Sequence, residues 1–106
     1  MNQGTQDVSA SITAAGTTQA TATLLINGIN LIGTAAAGTG VVLSSNATPG
    51  SSQTVYNGGA NAVNVFPPLG SKINGLATNS GMVLATNTTC HFWFANSTQI
   101  IGVLSA

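Results

Sequence analysis

The chain has 106 residues and only two charged side chains, Asp7 and Lys72; arginine and glutamate are absent and the net charge is zero. Without a basic cluster it cannot neutralise phosphates, which argues against nucleic acid and anionic membrane partners. A chain of this length makes one domain, and no apolar run approaches the roughly 18 residues of a membrane helix.

Ser, Thr, Asn and Gly make up 49 of the 106 residues, so hydroxyls and amides provide the solubility that charge normally provides. A freely diffusing small domain usually carries a net charge of about 2 to 8, which keeps copies apart. This chain lacks that repulsion, and its core is thin because 15 of its 46 hydrophobic residues are alanine. Burial at about 25 cal/mol per Å² then barely offsets backbone ordering, and association with other subunits is the expected remedy. Cys90 is the single cysteine, so no disulfide within the chain can substitute.

In chain order, residues 1–23 are small and polar, with Val8 and Ile12 the sizeable apolar side chains. They predict an extended N-terminal arm that orders against a neighbouring subunit by strand addition. Residues 24–106 predict a single β domain. Leu24 to Ile32 carries Asn27-Gly28 between apolar residues, which suits a hairpin or a strand with a glycine bulge. Val41 to Leu43 is a short strand, and Pro49-Gly50 fits a type II turn. Gln53 to Tyr56 and Ala62 to Phe66 read as the two arms of a hairpin around Asn57-Gly58-Gly59-Ala60-Asn61, with Val63 and Val65 on one face. Pro67-Pro68 ends that ladder because proline has no N–H to donate.

Met82 to Ala85, Cys90 to Ala95 and Gln99 to Leu104 complete the set. In CHFWFA, strict alternation puts Cys90, Phe92 and Phe94 on one face and His91 and Trp93 on the other. Strands every 8 to 12 residues or so, with turns between them, predict an all-β fold, a compact antiparallel β-sandwich or jelly-roll-like barrel with Phe66, Phe92 and Phe94 in its core. A solenoid of the Thr-rich ice-binding kind is disfavoured, because it demands a fixed period and Asn-Gly recurs at residues 27, 57 and 74 without one.

Chemistry is sparse. Cys90 and His91 are neighbours in a strand and point to opposite faces, so they do not form a nucleophile–base dyad. One His, one Cys and one Asp dispersed along the chain do not make a metal site, and no phosphate-binding loop precedes a helix. The expectation is no enzyme and no cofactor. His91 and Trp93, with Val8 and Ile12 of the arm, are the candidate interface residues. Trp93 is alternatively a stacking platform for a glycan. Met1 to Ala10 shows neither a basic nor an apolar segment of a signal peptide, so synthesis in the cytoplasm is expected.

Val41-Val42-Leu43, followed by VYNGGANAVNVFPPLGSKINGLATN, resembles a group of small structural proteins of tailed bacteriophages. They share a strand ending in Leu, a Pro-Gly turn, the pattern V-x-N-x-G-A-N-x-x-x-V-F-P and an I-N-G corner. Asn57, Gly59, Ala60, Asn61, Val65, Phe66, Pro67, Ile73, Asn74 and Gly75 fit it, and the likeness spans about Val41 to Leu104. At the last strand Gln99 is followed by Ile100-Ile101 where the group often has an aromatic. The resemblance implies a capsid decoration or cement protein on the virion surface, bound to the major capsid protein as a homotrimer. It leaves open a carbohydrate-binding or host-adhesion module of a head fibre or tail.

Overall fold

A computed structural model describes residues 7–45 and 48–105. Over these residues the chain is all β, with ten strands and no helix. They are β1 (Val8–Thr13), β2 (Thr23–Leu24), β3 (Ile29–Thr34), β4 (Gly40–Val42), β5 (Ser52–Asn57), β6 (Val63–Phe66), β7 (Lys72–Ile73), β8 (Met82–Leu84), β9 (Thr88–Phe94) and β10 (Gln99–Leu104). Six form one sheet in the order β1-β3-β5-β9-β10-β7, and four form a second in the order β2-β4-β6-β8.

The chain winds between the two sheets. β1, β3 and β5 lie side by side and parallel, as do β2, β4 and β6, so each circuit lays its strands on those of the circuit before. Parallel neighbours require a crossover, and here passage through the opposite sheet is the crossover. β8 and β9 then turn back antiparallel on β6 and β5, and β10 returns along β9.

Five of the eight strand pairings are parallel, so the sheets are not those of the expected antiparallel sandwich. The predicted hairpins at Asn27-Gly28 and Asn57 to Asn61 are corners between sheets, since β2 and β3, like β5 and β6, belong to different sheets. Turn chemistry looks alike in both cases. What separates them is whether the returning strand pairs with its predecessor or crosses the core. Gly59 serves close approach: a Cβ there would lie 2.7 Å from that of Ala35 on the neighbouring circuit. At Pro49-Gly50, by contrast, the turn is as expected, with Gly50 at φ 89° and Ser51 N donating to Thr48 O at 3.0 Å.

The predicted arm is partly folded into the body. Its residues 1–6 lie outside the described part, but Val8–Thr13 form the edge strand of the larger sheet, and Ala14 N donates to Thr34 O at 2.9 Å. Low hydrophobicity hides such a segment, because an edge strand gains stability from backbone pairing as well as from side-chain burial.

Both sheets close on one apolar core. Val55, Cys90, Phe92, Phe94 and Ile100 of the larger sheet meet Val41, Val63, Val65 and Leu84 of the smaller. Phe92 and Phe94 are buried as expected; Phe66 is not in the core. It follows the buried Val65 and therefore turns outward by the two-residue period. Between the sheets stand the amides Asn30, Gln53 and Asn57, all buried. They hold the corners: Asn57 Nδ2 donates to Asn61 O and Leu84 O, and Gln53 Nε2 donates to Leu25 O and Asn27 O. Asn30 Nδ2 donates to Asn27 O and Thr54 O, while its Oδ1 has no partner.

Candidate functional site

The outward face of the six-stranded sheet gathers most of the candidate residues. Register places Val8, Ile29, Thr54, His91 and Val103 in one row across five strands. Beside it Ser52, Trp93 and Ile101 make a second row, and on its other side Leu31, Tyr56 and Thr89 make a third. Alternation dictates this, since Gln53, Val55 and Asn57 on β5 and Cys90, Phe92 and Phe94 on β9, the inward neighbours of these residues, are buried. Val8 and Val103 are each 53% exposed and Trp93 46%, so the face meets solvent with large apolar side chains. None of the residues in these rows carries a permanent charge.

Two contacts order its centre. Thr54 Oγ1 and His91 Nδ1 are hydrogen-bonded at 2.6 Å across the β5–β9 ladder. The His91 ring also meets Trp93, two residues along the same face, edge-on, with centroids 4.3 Å apart and planes at 65°. This geometry suits the quadrupoles of aromatic rings. It gives the indole a fixed position without covering it.

Of the four predicted interface residues, Val8, His91 and Trp93 share this face and Ile12 does not. Ile12 pairs with the buried Ile32 and packs against the core. In a regular strand Val8 and Ile12 would lie on the same side. A bulge intervenes: from Ser9 to Ile12 the strand advances three residues while β3 advances two, and Ser11 takes φ 61°. The extra residue reverses the facing.

A second outward apolar face, not anticipated from the sequence, lies on the four-stranded sheet. Leu24, Val42 and Phe66 form a row across β2, β4 and β6, with Val83 on β8 nearby. Leu24 is 57% and Val83 63% exposed. The Phe66 ring lies over glycine backbone, for a Cβ at Gly40 would come within 2.9 Å of it and one at Gly81 within 3.0 Å. The signal was available in the alternation of Val63 to Phe66, which obliges Phe66 to face away from Val65.

Cys90 faces the core and His91 the solvent, as alternation requires. Burial pushes the Cys90 thiol up to about 11, with a backbone hydrogen bond at Val103 pulling weakly the other way. A thiol so protonated is a poor nucleophile at neutral pH. Among the described residues no three His, Cys, Asp or Glu side chains gather as metal ligands, and no pocket opens in the surface. Among those residues no helix is long and apolar enough to cross a membrane. Compared with known proteins, the chain matches no family model, no curated protein and no solved structure.

Proposed function

We propose that this chain is a structural protein of a virion, a capsid decoration or cement protein that binds the outer surface of a shell and stabilises it. The supporting observation is the pair of sheet faces with exposed large apolar side chains on opposite sides of a body 33 × 33 × 27 Å in extent. A protein with exposed Trp93 and Val103 on one side and Leu24 and Val83 on the other offers broad surfaces to large partners. The coiled two-sheet scaffold holds both faces rigidly, with buried amides fixing its corners. The mechanism is linkage: a protein that binds the assembled shell and not its separated subunits shifts the equilibrium toward the shell.

In this reading the four-stranded face meets the major capsid protein. The test is co-sedimentation of the purified chain with shells of that capsid protein, followed by thermal dissociation of the shells. Decorated shells are expected to come apart at a higher temperature. Leu24→Asp combined with Val83→Asp should abolish co-sedimentation while leaving the circular dichroism unchanged. Failure of the unaltered chain to sediment with shells overturns the proposal.

A second reading, a glycan-binding or host-adhesion module, is favoured by the exposed indole of Trp93, which His91 braces and beside which Ser52 and Thr54 of β5 carry hydroxyls. Binding on a glycan array that disappears in Trp93→Ala would select it.

A further inference from the structure

We propose that Asn74-Gly75 is a self-modification site, at which the folded protein converts Asn74 to aspartyl and isoaspartyl residues with water as the only co-reactant, while Asn27-Gly28 and Asn57-Gly58 are held intact. This lies beyond the assembly role above and rests on none of its partners.

Asparagine is a thermolabile residue, and a following glycine has no side chain to hinder its nitrogen from approaching the carboxamide. Gly75 N gives up its proton to hydroxide and attacks Asn74 Cγ. An N–Cγ bond forms, the Cγ–Nδ2 bond breaks, and ammonia leaves after taking a proton back from water, so that a succinimide ring remains. Water then opens the ring. Attack at Cγ gives aspartate, and attack at the main-chain carbonyl carbon gives isoaspartate, whose peptide bond runs through Cγ. Either product carries a carboxylate where the amide stood, and no oxidant or reductant takes part.

Ring closure requires the carboxamide and the next peptide nitrogen to turn toward each other, so the hold on each pair decides which one reacts. Asn57 is buried, its carboxamide is bonded to Asn61 O, Leu84 O and Gly59 N, and Gly58 N donates to Ile32 O at 2.8 Å. Only opening of the core frees it. Asn27 is half-buried, and its Nδ2 donates to Ser9 Oγ. Its carbonyl accepts from the buried side chains of Asn30 and Gln53, and Gly28 O accepts Thr54 N at 2.7 Å. The peptides on both sides of Gly28 are thereby fixed to β3 and β5.

Asn74 and Gly75 are both exposed, in a turn that Leu76 N closes on Ile73 O at 3.0 Å. The Asn74 carboxamide meets one residue of β10: its Oδ1 accepts Gly102 N at 2.9 Å and its Nδ2 donates to Gly102 O at 3.2 Å. Its carbonyl accepts Gln99 Nε2 at 3.1 Å. These three bonds are solvent-exposed, and breaking them leaves Ile73, the buried residue of β7, in place. Exposed bonds of this kind open locally without global unfolding. Conversion takes the net charge from zero to minus one in a chain with two charged side chains, and it sets a carboxylate oxygen against the Gly102 carbonyl where Nδ2 donated.

The test is incubation of the purified full chain at mildly alkaline pH, followed by isoelectric focusing and by peptide mapping with fragmentation that separates aspartate from isoaspartate. In the folded protein Asn74 is expected to convert at least about tenfold faster than Asn27 or Asn57, whereas all three should convert in the chain unfolded by guanidinium chloride. A Cβ at Gly75 would meet nothing within 4 Å, and its backbone is outside the left-handed region. Gly75→Ala should therefore leave the circular dichroism unchanged, and by crowding the attacking nitrogen it should slow conversion at Asn74 at least about tenfold. Conversion of Asn27 or Asn57 as fast as Asn74 in the folded protein overturns the proposal. So does an Asn74 that stays intact in the folded protein while the unfolded chain converts, or a folded Gly75→Ala protein that converts as fast as the unaltered one.

Discussion

Thr54 and His91 occupy directly opposed positions on β5 and β9, and their side chains close a 2.6 Å hydrogen bond on the outward face. The bond fixes the imidazole against Trp93 and so shapes the middle of that face. Thr54→Val keeps the β-branched shape and removes the hydroxyl. Stability should fall by about 0.5–1.5 kcal/mol, the usual net worth of such a bond. Urea titration measures this, and the His91 ring resonances should report a more mobile ring. An unchanged midpoint and unchanged resonances contradict the assignment.

Asn57 is the most heavily committed of the buried amides. Its Nδ2 donates to Asn61 O at 2.9 Å and Leu84 O at 3.0 Å, and its Oδ1 accepts Gly59 N at 2.9 Å. Asn57→Ala leaves the Leu84 carbonyl and the Gly59 N–H unpaired in buried positions and removes the donor of the part-buried Asn61 carbonyl. A loss of about 3 kcal/mol or more is expected from the unsatisfied groups. Asn64→Ala, on the outward side of β6, should lose less than about 1 kcal/mol. Equal losses in chemical denaturation would show that the corner does not depend on the amide.

Gly16 and Gly38 both have positive φ, 72° and 79°, but their surroundings differ. A Cβ at Gly16 would collide with the Thr21 carbonyl, whereas one at Gly38 would meet nothing within 4 Å. Gly38→Ala therefore bears only the left-handed backbone penalty, about 1–2 kcal/mol. Gly16→Ala adds a clash with main chain and should be the more destabilising by at least about 1 kcal/mol, visible as a lower melting temperature. The reverse order would refute the tight turn before β2.

Cys90 gives the chain a pH dependence with a defined sign. Its thiol is pushed from 9.0 up to about 11 in the folded protein, chiefly because burial disfavours the thiolate. The folded state holds the proton more tightly than the unfolded state. The associated stability is fully present below pH 9.0 and is lost as the pH rises toward about 11. The amount is on the order of 2–3 kcal/mol, at 1.36 kcal/mol per unit. Cys90→Ala should flatten this part of the stability–pH curve, and a thiol reagent at pH 8 should modify the unaltered protein only as fast as it unfolds. Rapid modification of the folded protein would contradict the burial of the thiol.

Local pattern carried β6, β8, β10 and the apolar part of β9 well, but Lys72-Ile73 reads as a corner and is the edge strand β7. The alternation in CHFWFA places Phe92 and Phe94 inside and Trp93 outside, and Asn96 closes the following turn, its Oδ1 accepting Thr98 N and Gln99 N at 2.9 Å each. Pattern failed at β1 because a bulge is a single extra residue, and nothing in VSASIT announces that Ser11 takes φ 61° and sends Ile12 inward. The inward amides were partly legible: Gln53, Val55 and Asn57 alternate strictly, but polar residues in that pattern suggest an outward face until their backbone partners are known.

By itself the sequence determined that this protein is all β, that it carries two charges at positions 7 and 72, and which side of CHFWFA is apolar inside. These follow from composition and a two-residue period, which are local properties. Only the tertiary structure decided that the circuits stack in parallel. In-register residues on the larger sheet, Val8, Ile29 and Thr54, are separated by 21 and then 25 positions, and on the smaller sheet Leu24, Val42 and Phe66 by 18 and then 24. Corners of unequal length erase the fixed period that stacked circuits would otherwise print on the chain. Pairing between distant strands also set Asp7 and Lys72 on opposite edges of one sheet, since strand order depends on which backbones meet across space and not on which side chains follow one another.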